Sequence, residues 1–320
     1  MALSEFQLIA RYFASLTPPD AEGVLLGIGD DAAILRLSPG EDLLVSIDTL
    51  VSGVHFPPSL SARAIGHRAL AVNLSDLAAM GARPLWFTLA LTLPSVDEAW
   101  LDGFAAGLGA LARRAGIALV GGDTTRGPLS ITVQVHGAAA HGTALRRDCA
   151  RPGDALWVTG RPGFAALGLR HLLAGAAEED PRCAAFLWPE PRLGFGRALA
   201  GLATAAIDVS DGLLADAGHI AGRSGCGIEI EASLLPREGA LAALAAEDAL
   251  GLVLTGGDDY ELCFTAPPSA GDRIATAAAE LCLPCTRIGT VVSGSGAHCR
   301  DFRGARTGFQ HFEAGNHASP

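Results

Sequence analysis

The chain has 320 residues, of which 49% are apolar and 18% are charged, and its formal net charge at pH 7 is −11. This length predicts about two domains. Low charge, aperiodic glycines and short helical patterns exclude a disordered chain, a collagen-like fibre and a coiled coil. All 23 basic residues are arginine, which excludes a Walker A phosphate loop, a protein-kinase lysine and a Schiff base, because each requires a lysine.

Periodic apolar residues predict the elements of the first half. Ser4 and Gln7 form a capping box before a short amphipathic helix. A second capping box, Ser95 to Glu98, predicts the start of a longer helix. The predicted strands are 43–48, 85–93, 117–121 and 129–137, and the two helices between them are 62–80 and 96–115. This pattern predicts an α/β or α+β unit.

The pattern breaks near residues 149–154, where we expect a boundary between domains 1–150 and 151–320. The second domain is predicted to hold strands at 155–159, 227–231, 252–256, 260–265 and 286–292, and helices at 192–202, 212–224, 237–246 and 269–282. Leu119-Val120-Gly121-Gly122-Asp123 is echoed by Leu254-Thr255-Gly256-Gly257-Asp258. We interpret both as strands whose terminal glycines let backbone approach a ligand beside a carboxylate.

Several aspartates stand at the ends of apolar runs, where they can face a ligand. They are Asp30, Asp31, Asp48, Asp76, Asp123, Asp208, Asp211, Asp258 and Asp259. Two carboxylates 4 Å apart repel by about 4 kcal/mol at an effective dielectric constant of 20. Since the chain has no lysine to neutralise them, a group of such acids indicates Mg²⁺, which prefers oxygen ligands and bridges phosphates.

The alternative for each aspartate is structural, because aspartate is also a common N-cap and turn residue. Asp76 fits that alternative least well, since it lies inside an apolar helical stretch with nothing to cap. Taken together, the acids favour a metal and phosphate site.

Charge and hydropathy also restrict the partners. An acidic balance argues against a nucleic-acid groove. The chain has no apolar stretch of about 18 uncharged residues and no signal-peptide pattern. We therefore expect a soluble, cytoplasmic protein that binds neither nucleic acid nor membrane.

Two weaker motifs and the number of cysteines receive structural interpretations. Gly107-Leu108-Gly109-Ala110-Leu111-Ala112 matches G-x-G-x-x-A but lies inside a predicted helix, which disfavours a Rossmann site. The pair Cys282 and Cys285 has no second pair with which to bind zinc. An odd count of seven cysteines predicts reduced, mostly buried thiols.

Six motifs occur in an order that resembles the thiamine-monophosphate kinase family, within the aminoimidazole-ribonucleotide-synthetase-like superfamily. They are Gly-Ile-Gly-Asp-Asp-Ala, Ile-Asp-Thr-Leu-Val with a following His, Ala-Val-Asn-Leu-Ser-Asp-Leu-Ala-Ala-Met-Gly-Ala, Gly-Gly-Asp-Thr-Thr-Arg-Gly, Ile-Asp-Val-Ser-Asp-Gly-Leu and Gly-Gly-Asp-Asp-Tyr-Glu-Leu. The resemblance implies two α/β domains, a homodimer whose N-terminal domains form a β-barrel, and ATP bound in a cleft. It also implies direct in-line phosphorylation of thiamine monophosphate to thiamine diphosphate, assisted by several Mg²⁺ ions, as the last step of thiamine diphosphate synthesis.

The same resemblance assigns roles to individual residues. The expected Mg²⁺ ligands are Asp31, Ser46, Ile47 (through its carbonyl), Asp48, Asp76, Asp123, Asp208 and Asp211. Catalysis is expected to depend on Asp31, Asp48, Asp76, Asp123 and Asp208. The expected nucleotide contacts are Gly122, Asp123, Arg147 and Ser210, with Phe104 beside the base. The expected thiamine phosphate contacts are His55, Asp258 and Phe309.

The sequence departs from the family pattern at three of these positions. Ile47 stands where Thr is frequent, Asp258 where Glu is usual, and Phe309 where Tyr is usual. These changes remove a hydroxyl, a methylene and a phenol group, respectively.

Two alternatives remain open. The chain could phosphorylate another small substrate, although the superfamily's selenium enzyme typically has a reactive N-terminal cysteine and no cysteine here precedes Cys149. It could also be a non-catalytic module that binds cations or nucleotides. ADP release with and without thiamine monophosphate distinguishes these functions.

Overall fold

The computed structural model describes residues 5–300 and 302–304. Contacts divide the chain into two compact units, Met1–Ala144 and Leu145–Pro320. Both units mix helices with sheets, so the α/β class expected from the sequence is confirmed. No helix in the described ranges is long and apolar enough to cross a membrane.

The first unit is a four-stranded sheet with two long helices. Its elements are α1 (Glu5–Tyr12), β1 (Val24–Leu26), β2 (Ile34–Leu35), β3 (Glu41–Val51), α2 (Ala62–Ala79), β4 (Arg83–Leu93), α3 (Glu98–Ala115), β5 (Ala118–Arg126) and β6 (Ser130–Ala140). The sheet order is β3-β6-β4-β5, with β4 and β5 parallel and the other pairs antiparallel. β1 and β2 form a separate antiparallel pair.

Side-chain hydrogen bonds begin both long helices. Ser61 Oγ accepts from Ala64 N at 3.3 Å at the start of α2. Asp97 Oδ1 accepts from Ala99 N at 3.0 Å and Trp100 N at 3.2 Å. The N-cap of α3 is therefore Asp97, two residues after the predicted N-cap Ser95. α2 and α3 can pack closely because Gly66 and Gly107 have no Cβ atom. A Cβ at either position would overlap the backbone of the other helix.

Alternation along β3 gives it two different faces. Leu44 and Leu50 are buried on the face that carries Ser46 and Asp48. Leu43, Val45 and Ile47 on the opposite face are 49%, 51% and 57% exposed. The first unit therefore leaves an apolar strip uncovered along the outer face of β3.

The second unit has a six-stranded sheet and several helices. Its elements are β7 (Ala155–Thr159), α4 (Phe164–Leu173), α5 (Ala184–Leu187), α6 (Leu193–Ala198), β8 (Ala205–Asp208), α7 (Leu213–Ser224), β9 (Gly227–Ile230), α8 (Ala246–Thr255), β10 (Leu262–Ala266), α9 (Gly271–Glu280), β11 (Cys285–Val292) and β12 (Gly296–Cys299). The strand order in the sheet is β12-β9-β11-β7-β10-β8.

Two predicted elements of this unit are wrong. The helix predicted at 237–246 is only a short 3-10 helix over Gly239–Ala243, and the helix α8 begins at Ala246. Residues 252–256 end the helix α8 instead of forming a strand. The echoed Gly-Gly-Asp sequence therefore lies inside the strand β5 in one unit and follows a helix in the other. A short apolar run does not distinguish a buried strand from a buried helix.

Candidate functional site

The first group of candidate ligands lies where β3 meets α2. Ser46 Oγ donates to Asp76 Oδ2 at 2.6 Å, and the backbone N–H of Asp48 donates to Asn73 Oδ1 at 2.9 Å. Ser46 and Asp48 share a face of β3, while Asn73 and Asp76 lie one turn apart on α2. The structure therefore brings Ser46, Asp48 and Asp76 together. It also adds Asn73, a buried amide that sequence reasoning missed.

Ile47 has a different environment. Since the Asp48 N–H points toward Asn73, away from β6, the carbonyl of the same peptide points the other way. The Ile47 carbonyl thus faces its ladder partner Gln134 on β6. Ile47 is therefore not a proposed metal ligand.

Asp31 and Asp123 form a second group of candidate ligands, and both line a cavity of about 600 Å³. Gly122, Thr88 and Thr124 add polar lining, whereas Ile9, Phe13, Leu89, Leu119 and Val120 make one wall apolar. Gly122 has φ +155°, and a Cβ there would lie 1.9 Å from the Leu89 carbonyl oxygen. The backbone at Gly122 can therefore line this cavity only as glycine.

The strand order of the sheet separates these two groups of candidate ligands. Asp48 is on β3 and Asp123 is on β5, the two edge strands of the sheet in the described ranges. Three strand spacings amount to about 14 Å, whereas Mg²⁺ ligands lie about 2.1 Å from the ion. The sheet does not bring Asp48 and Asp123 of one chain onto the same ion.

His55 and Phe104 have contrasting environments. His55 Nδ1 accepts from Val51 N at 2.9 Å, so the neutral ring carries its proton on Nε2. Phe104 is fully buried, stacks on Trp100 at 5.1 Å and meets Phe13 edge to face at 6.5 Å. The expectation that Phe104 flanks a nucleotide base is corrected: its ring belongs to the core beneath α3.

In the second unit, Asp208, Ser210 and Asp211 lie at the end of β8 around a buried carboxylate. Asp216 Oδ2 accepts from the backbone N–H groups of Ser210, Asp211 and Gly212, each at 3.1 Å. Burial, followed by the nearby charges of Asp208 and Asp211, raises the pKa of Asp216 to about 8. Ligand atoms of Asp211, Asp216 and His219 all lie within 4.8 Å of one another. An acid in the first turn of a predicted helix was the available signal for Asp216.

The acids of the Asp258–Glu261 segment have different hydrogen-bond partners. Asp259 accepts from Gly163 N at 2.8 Å and Ala165 N at 3.2 Å, at the start of α4. Burial raises the pKa of Asp259, and Glu261 and Asp258 add to the shift. Glu261 accepts from Thr159 Oγ1 at 2.7 Å and forms a two-pronged ion pair with Arg192 at 2.7 and 2.5 Å.

Asp258 is half-buried. Asp258 and Tyr260 have left-handed backbone, with φ +62° and +52°. Asp258 N donates to Ser210 O at 2.7 Å, and Tyr260 N donates to Val209 O at 2.9 Å. The Asp258 segment thus lies directly beside the loop of Ser210 and Asp211.

The remaining predicted residues are less informative. Arg147 is exposed in the second unit, beside the Arg146–Asp148 ion pair. Phe309 lies outside the described residues.

All seven cysteines are free, but Cys149 and Cys282 are exposed and Cys285 is only partly buried. The expectation of buried thiols therefore holds for the other four.

Comparisons with known proteins agree with this description. Residues 29–139 match the AIR synthase related protein, N-terminal domain, and residues 151–301 match the corresponding C-terminal domain. Thiamine-monophosphate kinase of Escherichia coli K12 is 48% identical over 92% of each chain.

Two solved structures are also similar. The thiamine-monophosphate kinase of Stenotrophomonas maltophilia K279a is 48% identical, with TM-score 0.86 over 94% of this chain and 98% of that one. AaThiL complexed with AMPPCP and TMP is 32% identical, with TM-score 0.77 over 89% and 92%. The resemblance inferred from the motifs is thereby confirmed, and the chain belongs to the thiamine-monophosphate kinase family.

Proposed function

We propose that this chain transfers the terminal phosphoryl group of ATP to thiamine monophosphate, which gives ADP and thiamine diphosphate. The observation that carries the proposal is the family membership at 48% identity over nearly the whole chain. The relative solved with AMPPCP and TMP, at 32% identity, supports both substrates. The use of ATP fits the cytoplasmic location expected from the sequence.

The acids of both units fit Mg²⁺. Their donors are carboxylate and hydroxyl oxygens, which hard divalent cations prefer. Burial is the main cause of the raised pKa of Asp216, and the charges of Asp208 and Asp211 add to it. A cation would neutralise these two charges. We propose Asp31, Ser46, Asp48, Asp76 and Asp123 as ligands in the first unit, and Asp208 and Asp211 in the second. Bound Mg²⁺ would neutralise the charge of the phosphates that must approach one another.

The protein's own groups would bind and orient the substrates. The attacking oxygen belongs to the phosphate of thiamine monophosphate, which is largely ionised at neutral pH, so a strong general base is unnecessary. It forms a bond to the γ-phosphorus of ATP as the bond from that phosphorus to the departing ADP oxygen breaks. We propose that the Arg147 guanidinium and the Gly122 backbone hold the nucleotide phosphates.

The thiamine phosphate would be held by His55 and Asp258. His55 carries its proton on Nε2 when neutral and can donate it to a phosphate oxygen. The carboxylate of Asp258 would attract the thiazolium cation. Phe309, outside the described residues, stays a proposed aromatic contact.

A homodimer built through the first unit is also part of the proposal. Leu43, Val45 and Ile47 form an uncovered apolar strip beside the edge of β3, and β5 offers the other edge in the described ranges. Closing two such sheets into a barrel would cover the strip. If β3 of one copy meets β5 of the other, Asp48 of one copy would lie near Asp123 of the other copy, although the two residues stay apart within each chain.

ADP release tests the function directly. We expect ADP to form from ATP and Mg²⁺ only when thiamine monophosphate is present, with thiamine diphosphate formed in equal amount. Thiamine, aminoimidazole ribonucleotide precursors and selenide are the controls for another kinase of the superfamily. Nucleotide binding with no ADP release on any acceptor would instead indicate a binding module.

A further inference from the structure

Asp216 is a buried acid for which the proposed mechanism has no use. Asp216 is only 2% exposed and lies in the first turn of α7. One of its oxygens accepts from three consecutive backbone N–H groups, those of Ser210, Asp211 and Gly212. Three donors converging on one acceptor oxygen determine the path of the loop between β8 and α7.

The orientation of this loop decides where two candidate ligands point. Because the N–H groups of Ser210 and Asp211 turn toward Asp216, the backbone that presents both side chains is fixed by one carboxylate oxygen. Gly212 allows the turn, since its φ is +119° and a Cβ there would come within 3.0 Å of Thr255. The loop therefore has little freedom while Asp216 is in place.

The same loop contacts the candidate substrate segment. The carbonyl of Ser210 accepts from Asp258 N at 2.7 Å, so a shift of the loop would also move Asp258. Gly257 packs against the same carbonyl, which a Cβ would approach to 2.6 Å. A displacement at Asp216 would thus reach the proposed metal, nucleotide and thiamine phosphate contacts of this unit together.

We infer that Asp216 is a positioning residue that holds Ser210, Asp211 and Asp258 in the geometry needed to bind Mg²⁺-nucleotide and thiamine monophosphate. This inference rests on the proposed function. It attributes the effect of Asp216 to the place of its acceptor oxygen and not to its charge.

Two substitutions separate geometry from charge. Asp216→Asn keeps an acceptor oxygen at the same distance from the backbone but removes the ionisable carboxyl group. Asp216→Glu keeps the carboxyl group but moves its oxygen by one methylene. Asp154→Glu is a matched control: Asp154 is also buried in this unit and accepts from Arg151 N at 3.0 Å and Thr204 Oγ1 at 2.7 Å, at the opposite end of β8 from Asp208.

Calorimetric titration with Mg²⁺-AMPPCP and hydrogen exchange of the 210–212 amides are the readouts. We expect Asp216→Asn to bind within about threefold of the unsubstituted chain. Asp216→Glu should bind at least about tenfold more weakly, because even a misplacement of about 1 Å can cost about 100-fold in rate at a site that depends on geometry. The 210–212 amides should exchange faster in Asp216→Glu alone. Asp154→Glu should lower Tm without weakening binding.

The opposite ranking, with Asp216→Glu binding normally and Asp216→Asn at least tenfold weaker, would overturn the inference in favour of charge. Equal weakening by Asp154→Glu and Asp216→Glu would also overturn it, because general destabilisation would then explain both. If Asp216→Glu does not fold, the binding of Asp216→Asn decides. These readouts need no turnover, so absence of ADP formation by the unsubstituted chain would refute the proposed function separately.

Discussion

Ser46 on β3 donates its hydroxyl proton to Oδ2 of Asp76 on α2, across 2.6 Å and thirty residues of sequence. The bond orients the Asp76 carboxylate against the face of β3 that also carries Asp48. A carboxylate inside an otherwise apolar helix, which no local capping role explained, is thereby given a partner in the tertiary structure.

Asp76→Asn should stop catalysis and leave the fold intact. The amide oxygen can still accept from Ser46, but the charge that binds the cation is lost. We expect kcat for ADP formation to fall by about 1000-fold, because charge stabilisation by a metal is worth several kcal/mol. Tm should change by less than about 4 °C, the shift produced by about 1 kcal/mol. Near-normal kcat would remove Asp76 from the metal site.

Removal of divalent cations should stop the reaction reversibly. The carboxylates proposed as ligands repel the phosphates of both substrates unless a cation lies between them. We expect excess EDTA to abolish ADP formation and added Mg²⁺ to restore it, as measured by a coupled ADP assay with a metal-independent coupling control. ADP formation that persists in metal-free buffer would contradict the proposed magnesium sites.

Arg192→Leu should destabilise the second unit through Glu261. Glu261 is 6% exposed, so loss of Arg192 leaves a buried carboxylate without its cation. Urea unfolding should show a loss of about 3–5 kcal/mol in the free energy of unfolding. The double variant Arg192→Leu/Glu261→Gln should recover most of this loss, because Gln can still accept from Thr159. Equal stability of the single and double variants would argue against an ion-pair effect.

Gly107→Ala should lower stability without changing the KM for ATP. A Cβ at Gly107 would lie 2.0 Å from the Arg63 carbonyl oxygen, and overpacking costs about 1–3 kcal/mol. Gly222→Ala is the control, since that helical glycine has open space around its Cβ position and alanine should add about 0.5–1 kcal/mol. A large rise in KM at unchanged stability would return G-x-G-x-x-A to the nucleotide site.

Cys282 and Cys285 should differ in reactivity. Burial raises the pKa of the Cys285 thiol to about 12, and the charge of Glu261 adds to the shift, whereas Cys282 is exposed. At pH 8, iodoacetamide should label Cys282 well before Cys285, as followed by peptide mass spectrometry, because only the thiolate reacts. The variant Cys282→Ser serves as the control, and faster labelling of Cys285 would refute the prediction.

The sequence was sufficient where the deciding interactions are local. The helix predicted at 62–80 is α2 and the strand predicted at 85–93 is β4, whereas the N-cap of α3 is Asp97 and not the predicted Ser95. The run at 252–256 failed because a short apolar stretch suits a buried helix and a buried strand equally. Phe104 was assigned to a ligand although its ring is buried in the core, because burial depends on packing that no local pattern encodes.

By itself, then, the sequence determined the family, the α/β class and the set of candidate acids, since motif residues and periodicity are properties of neighbouring positions. Only the tertiary structure decided how those acids are distributed. In it, Asp76 accepts a hydrogen bond from Ser46, and Asp123 lies on the opposite edge strand of the sheet from Asp48. Asp259 and Glu261 accept hydrogen bonds from Gly163 and Arg192, which gives them structural roles. Strand order and long-range hydrogen bonds make these choices, because they pair residues whose separation along the chain carries no information about their distance in space.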